Sequence, residues 1–179
     1  MIPLFKVHMP KAVDKPLLDV LHSGYITQGP KVEEFEQLFG TYIMNKQVIA
    51  LNSGTSALTL ALRLAGVGPG DEVITTAMTC TATNLPILSL GAVPMFADVD
   101  PETGLIDPLS VVTLVTPKTK AIMCVDWGGM PPDLDALRQI ADHHQVKLIQ
   151  DSAHGLGAWD NGRPVGSIAD FTCFSLQAI

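Results

Sequence analysis

From Val48 onward the chain repeats one pattern: a short, nearly unbroken apolar run closed by a polar residue, then a stretch compatible with helix. The runs cover residues 48–51, 72–75, 93–97, 121–125, 147–150 and 171–174. Strands buried on both faces read as continuous runs of this kind, and their alternation with helical segments predicts a mostly parallel sheet covered on both sides. The predicted helices fall at 56–65, 82–90, 109–114 and 134–144, and Gly66 to Asp71 reads as a stop and turn between the first helix and the next strand. Upstream, Val32, Phe35, Leu38, Phe39 and Tyr42 recur at helical spacing between acidic residues, which predicts an amphipathic helix over 31–44. Residues 1–30 are rich in Pro and Gly and predict an arm lying on the main domain, with residues 31–179 forming that domain.

The residues that close the runs are Asn52, Asp98, Asp126, Asp151 and Ser175. In an open α/β sheet ligands bind outside the carboxyl ends of the strands, so these side chains are expected along one edge of the sheet. Composition narrows what that edge does. With 179 residues, 47% of them hydrophobic, the chain can bury a sizeable core. A net charge of −7 argues against a partner held mainly through phosphate-backbone electrostatics, so no nucleic-acid ligand is expected. Cys80, Cys124 and Cys173 are far apart, with no Cys-x-x-Cys pair for zinc or redox work, and read as reduced thiols. The N-terminus lacks the apolar core of a signal peptide and no run is long enough to span a membrane, so a cytoplasmic protein without a membrane partner is expected.

Three segments carry candidate chemistry. Asn52-Ser53-Gly54-Thr55-Ser56 opens a helix, where free backbone amides and the dipole suit a phosphate; taken alone, it reads first as an ordinary N-cap. Asp151 closes an apolar strand and precedes the small residues Ser152 and Ala153, so its carboxylate is placed either to pair with a cationic ring nitrogen or to cap a turn. Three residues on, His154 is either a core histidine or a donor to a phenolic oxygen. Ser175 offers a hydroxyl to a phosphate or caps a helix. Gly155 to Asp160 is a poor dinucleotide loop, since an Asp stands where the third Gly belongs, and Asp98 to Gly104 is a turn without calcium-ligand spacing.

Taken in order, Gly29 to Glu36, Asn52 to Leu58, Pro69 to Ile74, Thr81 to Asn84, Gly91 to Asp100, Gln150 to Ala158 and Gly166 to Ser175 resemble the DegT/DnrJ/EryC1/StrS sugar aminotransferases. The resemblance implies the three-layer α/β/α large domain of the aspartate-aminotransferase type, with a mixed seven-stranded sheet, followed by a smaller C-terminal domain and assembled as a homodimer. It implies pyridoxal 5'-phosphate (PLP) as cofactor, a keto-sugar nucleotide as acceptor and an amino acid such as glutamate as donor. By position, Gly54, Thr55 and Ser175 match the phosphate grip, Asp151 the partner of the pyridine nitrogen and His154 the contact to the phenolic oxygen. Cys80 stands where many members carry an aromatic ring that stacks on the cofactor, and Asp126-Trp127-Gly128-Gly129 stands where they have His-x-Tyr-Gly. The Schiff-base lysine is expected just after Ile179, with the small domain beyond it, so these residues alone are expected to be inactive. A dehydratase of the same fold and a non-catalytic relative are the other readings.

Overall fold

The computed structural model describes residues 6–177. Contacts divide them into two compact units, residues 6–50 with Gln177, and residues 51–176. In the first unit, a 3-10 turn at Lys11–Val13 leads into α1 (Asp14–His22), and α2 (Pro30–Tyr42) follows. Pro30 sits at the first turn of α2, where its missing N–H costs nothing. Phe35 and Phe39, one turn apart, pack with ring centroids 5.4 Å apart. Gly40 is buried in the last turns of α2, where a Cβ would lie 2.7 Å from the Asn45 carbonyl oxygen, so the chain can fold back over the helix only at a glycine.

The second unit carries the sheet. Its elements are α3 (Gly54–Leu64), β1 (Glu72–Thr76), α4 (Thr81–Ser89), β2 (Val93–Ala97), α5 (Pro108–Leu114), β3 (Thr119–Val125), α6 (Leu134–His144), β4 (Lys147–Asp151), a ribbon of β5 (Trp159–Asp160) and β6 (Arg163–Pro164), and β7 (Phe171–Cys173). Five strands form one parallel sheet in the order β2-β1-β3-β4-β7. The strand period of two sorts side chains onto opposite faces. Val73, Ala121, Met123 and Ile149 join Leu58 and Leu62 of α3 and Ile87 of α4 in one apolar cluster. Their chain neighbours Ile74, Ile122, Cys124 and Leu148 join Val111 of α5 and Leu134, Leu137 and Ala141 of α6 in another. The result is the α/β/α sandwich that the continuous apolar runs predict, and each fully buried Leu or Ile stabilises it by ~1.5–3 kcal/mol.

Local chemistry sets the helix ends. The Asp133 side chain accepts the Ala136 N–H at 2.9 Å to start α6, and His143 and His144 fall in its last turn, where the dipole favours them. The Asp107 side chain caps α5 by accepting from the Leu109 N–H, and the Ser53 hydroxyl caps α3 by accepting from the Ser56 N–H. Asp170, just before β7, accepts from Arg138 of α6 at 2.6 Å, from the Lys147 side chain at 3.0 Å and from the Leu148 backbone at 2.9 Å. These bonds hold its carboxyl below the usual carboxylate range despite partial burial, and fix where β7 enters the sheet.

The structure corrects the sequence reading at one run and adds two elements to it. Residues 48–51 are not a strand; no described strand lies in ladder with them, and an apolar run without a partner remains extended chain. Residues 1–30 contain α1, because Pro16 stands in its first turn, where proline is tolerated. The stretch after Gly157 is the β5–β6 ribbon, turned at Asn161-Gly162 with both residues at positive φ. The expected helix start beyond Ser175 reaches residues 178–179, outside the described residues.

Candidate functional site at the carboxyl edge of the sheet

β3 and β4 run in register, with Val125 beside Asp151, so the chain delivers Asp126 and Asp151 to the same edge. β4 and β7 pair with Asp151 opposite Cys173, which puts Ser175 at that edge two residues later. Asp151 is 5% exposed. Its Oδ2 accepts the Thr83 hydroxyl at 2.7 Å and its Oδ1 the Ala153 N–H at 3.2 Å. Because Thr83 donates to the carboxylate, its oxygen is left to accept from the Thr79 hydroxyl, 2.7 Å away. Thr83 lies in the first turn of α4, which is tied down in turn: the Asn84 side chain accepts from the Thr75 hydroxyl and donates to the Thr76 carbonyl. Among the described residues no lysine, arginine or histidine forms an ion pair with Asp151.

Asp126 is fully buried. Both its oxygens accept from the Gln150 amide, at 2.9 and 3.1 Å, and Oδ2 also accepts the Ser152 hydroxyl at 2.5 Å. Burial pushes its carboxyl up to about 6, the bonds from Ser152 and Gln150 pull it down, and the nearby charge of Asp151 pushes it up again. Burial, and then the Asp151 charge, raise the Cys173 thiol to about 12, so that group stays protonated and inert. Cys124 is raised by its burial and by Asp126, with the same consequence.

At the start of α3 a Cβ on Gly54 would stand 3.4 Å from the Ser175 Cβ and 3.7 Å from its Oγ, so the serine lies directly beside the helix N-terminus. The Ser56 N–H is taken by Ser53 Oγ and the Ala57 N–H by the Ser53 carbonyl, which leaves the amides of Gly54 and Thr55 as the outward pair. The positive helix end, two amides and adjacent hydroxyls give this corner the polarity that suits an anion.

The sequence profile of the DegT/DnrJ/EryC1/StrS aminotransferase family matches residues 9–179. The chain belongs to this family. It is 43% identical over 160 residues to the spore coat polysaccharide biosynthesis protein SpsC of Bacillus subtilis, an alignment covering 89% of this chain and 41% of SpsC. The PLP form of the Streptococcus pneumoniae sugar aminotransferase Spr1654 superposes with a TM-score of 0.96 at 38% identity, over 99% of this chain and 49% of that one. The sugar aminotransferase CalS13 of Micromonospora echinospora gives 0.94 at 38% identity, over 100% of this chain and 50% of CalS13. The chain thus spans about half the length of the relatives it matches.

Of the residues that the family resemblance singles out, the structure brings Gly54 and Ser175 into contact distance and sets Asp151 on the neighbouring strand. Thr55 follows in the first turn of the same helix, its carbonyl accepting the Thr59 hydroxyl. Cys80 is the exposed residue preceding α4, one turn from Thr83. His154 is exposed and packs on Trp127, with ring centroids 5.7 Å apart. Asn52 and Asp98, expected at the edge, are exposed; Asp98 donates its N–H to Ser110 and accepts the Asp107 N–H, serving the turn into α5. Thr79, Thr83 and the Asp126–Gln150–Ser152 cluster were not foreseen. The i, i+4 spacing of Thr79 and Thr83 across a helix start was the one signal available for the first pair.

Proposed function

We propose that this chain supplies the cofactor-binding part of a PLP-dependent aminotransferase that moves an amino group from an amino-acid donor, glutamate by preference, to a keto-sugar nucleotide. One observation carries the reading. A buried carboxylate with hydroxyl and amide partners, and no cation among the described residues, shares the sheet edge with a helix N-terminus flanked by a serine. A buried carboxylate is stable when paired and hydrogen-bonded, so Asp151 fits a protonated ring nitrogen, while the α3 corner fits a phosphate dianion. The donor set therefore suits PLP at both ends.

When bound, PLP supplies the electron sink and carries the amino group. The chain's own residues do the rest. Thr83 orients the Asp151 carboxylate and, through Thr79, keeps its Oδ2 occupied, and Asp151 holds a proton on the ring nitrogen. The Gly54 and Thr55 amides, with the hydroxyls of Thr55 and Ser175, bind the phosphate. His154 would donate to the phenolic oxygen, and Cys80 would line the cofactor site without the stacking ring that many members carry there, so stacking is weaker or comes from elsewhere. The three lysines of the second unit, Lys118, Lys120 and Lys147, stand at the starts of β3 and β4, at the opposite end of the strands from Asp151. Amino transfer thus calls for a lysine that this unit does not bring to the edge, and the 179 residues alone are inactive on this reading.

The expected arm over 1–30, the large domain from 31, the homodimer and the cytoplasmic setting belong to the same proposal; among the described residues no helix is long and apolar enough to cross a membrane. The test is a PLP titration of the chain followed by absorbance. Saturable, dialysable binding that Thr55→Ala weakens, with an absorbance that Asp151→Asn shifts, supports the reading, and the absence of saturable binding rejects it.

A further inference from the structure

Asp126 is a buried acid that the proposed chemistry leaves unused, and the residues around it form one connected lock. Its carboxylate takes two bonds from Gln150 and one from Ser152. Its backbone N–H donates to the Asp151 carbonyl at 3.0 Å, and the Ser152 N–H donates to the Cys173 carbonyl at 2.7 Å, so the strand ladder continues through the residues that follow Asp151. The turn then closes with the Gly155 N–H on the Ser152 carbonyl at 3.0 Å. A Cβ on Gly155 would overlap both Asp126 Oδ2 and Ser152 Oγ, which means the turn is pressed onto the carboxylate with no room between. From the other side, the turn after Asp126 presents Gly129 at positive φ, where a Cβ would stand 3.0 Å from the His154 carbonyl oxygen. Residues 126–129 and 151–155 are interlocked, and Asp126 is the polar centre of the lock.

We propose that Asp126 is a positioning residue: by gripping Ser152 it fixes the turn over residues 151–155 that presents Asp151 and His154, and so governs how tightly the chain holds PLP. What the turn presents rests on the cofactor reading above; how the turn is held rests on the geometry alone. Asp126 is fully buried and its oxygens are taken, so it acts through Ser152 and never touches a ligand. Both partners of this hydrogen bond are buried, so removing the Ser152 hydroxyl leaves an acceptor site unmet, which makes this one bond an effective grip.

The experiment compares the parent chain with Ser152→Ala and Asp126→Asn by two readouts. The first is the Trp127–His154 ring NOE in the chain without cofactor, and the second is the Kd for PLP. In Ser152→Ala the grip is gone: the NOE is expected to fall by at least half and the Kd to weaken about tenfold. In Asp126→Asn the amide oxygen, set at the Oδ2 position, still accepts the Ser152 hydroxyl, and Gln150 turns its amide so that its oxygen accepts the new N–H, so the NOE stays and the Kd remains within about threefold of the parent. Gly155→Ala, which wedges a methyl group into the lock, carries the same comparison if Ser152→Ala does not fold. A Ser152→Ala chain with parental NOE and parental Kd overturns the proposal. So does an Asp126→Asn chain as impaired as Ser152→Ala, since the carboxylate would then act through its charge. A parent that binds no PLP while the NOE responds as described overturns the cofactor reading and supports the positioning role alone.

Discussion

Asp126 and Asp151 stand at the ends of adjacent parallel strands, and both are buried, but their surroundings differ in one respect. At the end of β3 three hydrogen bonds converge on the Asp126 carboxylate from Gln150 and Ser152, and Gly155 is packed against it. At the end of β4 the Asp151 carboxylate receives one hydroxyl and one amide. A carboxylate has about four acceptor sites; Asp126 fills three of them and has Gly155 packed against it, whereas Asp151 fills two. Burial alone does not distinguish a ligand-facing acid from a structural one. The number and origin of its donors do, and on that measure the ligand-facing role is proposed for the acid of β4 and the turn-holding role for the acid of β3.

The comparison breaks most visibly at Asp151. In the enzyme carrying its lysine, Asp151→Asn is expected to leave PLP bound and to cut turnover by about 10²–10³, because a neutral amide does not hold the ring nitrogen protonated. Single-turnover absorbance measurements with glutamate check this. A loss of the same size in Asp126→Asn would erase the distinction between the two acids.

The next effect concerns stability and has a definite sign. Burial raises Asp126 to about 6 from an ordinary value near 3.8, so its ionisation costs the folded state free energy above that pH. As pH falls from 7 through 6 toward 4 the folded protein takes up this proton before the unfolded chain does. The Asp126 contribution to stability therefore rises, by up to about 3 kcal/mol. Asp170 runs the other way: its carboxyl is held low by Arg138, Leu148 and Lys147, so it stabilises the fold above the ordinary carboxylate range and loses that contribution as pH falls through its lowered value. Urea denaturation of parent and Asp126→Asn between pH 4 and 7 isolates the first contribution, which is absent from the variant.

How much of this was legible beforehand differs between backbone and side chains. The β2 run and the helix Leu134–His144 match the structure residue for residue, because apolar period and caps such as Asp133 are local signals. Residues 48–51 show the limit: they have a strand's composition, but a strand exists only where another pairs with it. At the site, the placement of Asp151 and Ser175 at one edge was legible because each closes an apolar run, and Gly54 because small residues open the helix that follows it. Thr83 was not, since its partner Asp151 lies 68 residues away and nothing local to a threonine in a helix start points there. The same holds for the contrast between Asp126 and Asp151, each an aspartate after an apolar run, whose difference lies entirely in what packs around them.

A smaller effect is expected at the other end of the site. Thr55→Ala deletes one hydroxyl from the phosphate corner and should weaken PLP binding by ~1.5–3 kcal/mol, with the fold intact. Equilibrium dialysis measures it, and an unchanged Kd would place the phosphate elsewhere.

The most direct measurement of the central claim is the 15N chemical shift of ring-labelled PLP bound to the chain and to its Asp151→Asn variant. If Asp151 is the acid that faces the cofactor, the parent shows a protonated ring nitrogen, and the variant binds PLP with that nitrogen unprotonated. The same shift in both proteins would contradict the account, because it would mean that the buried carboxylate at the end of β4 does not meet the ring.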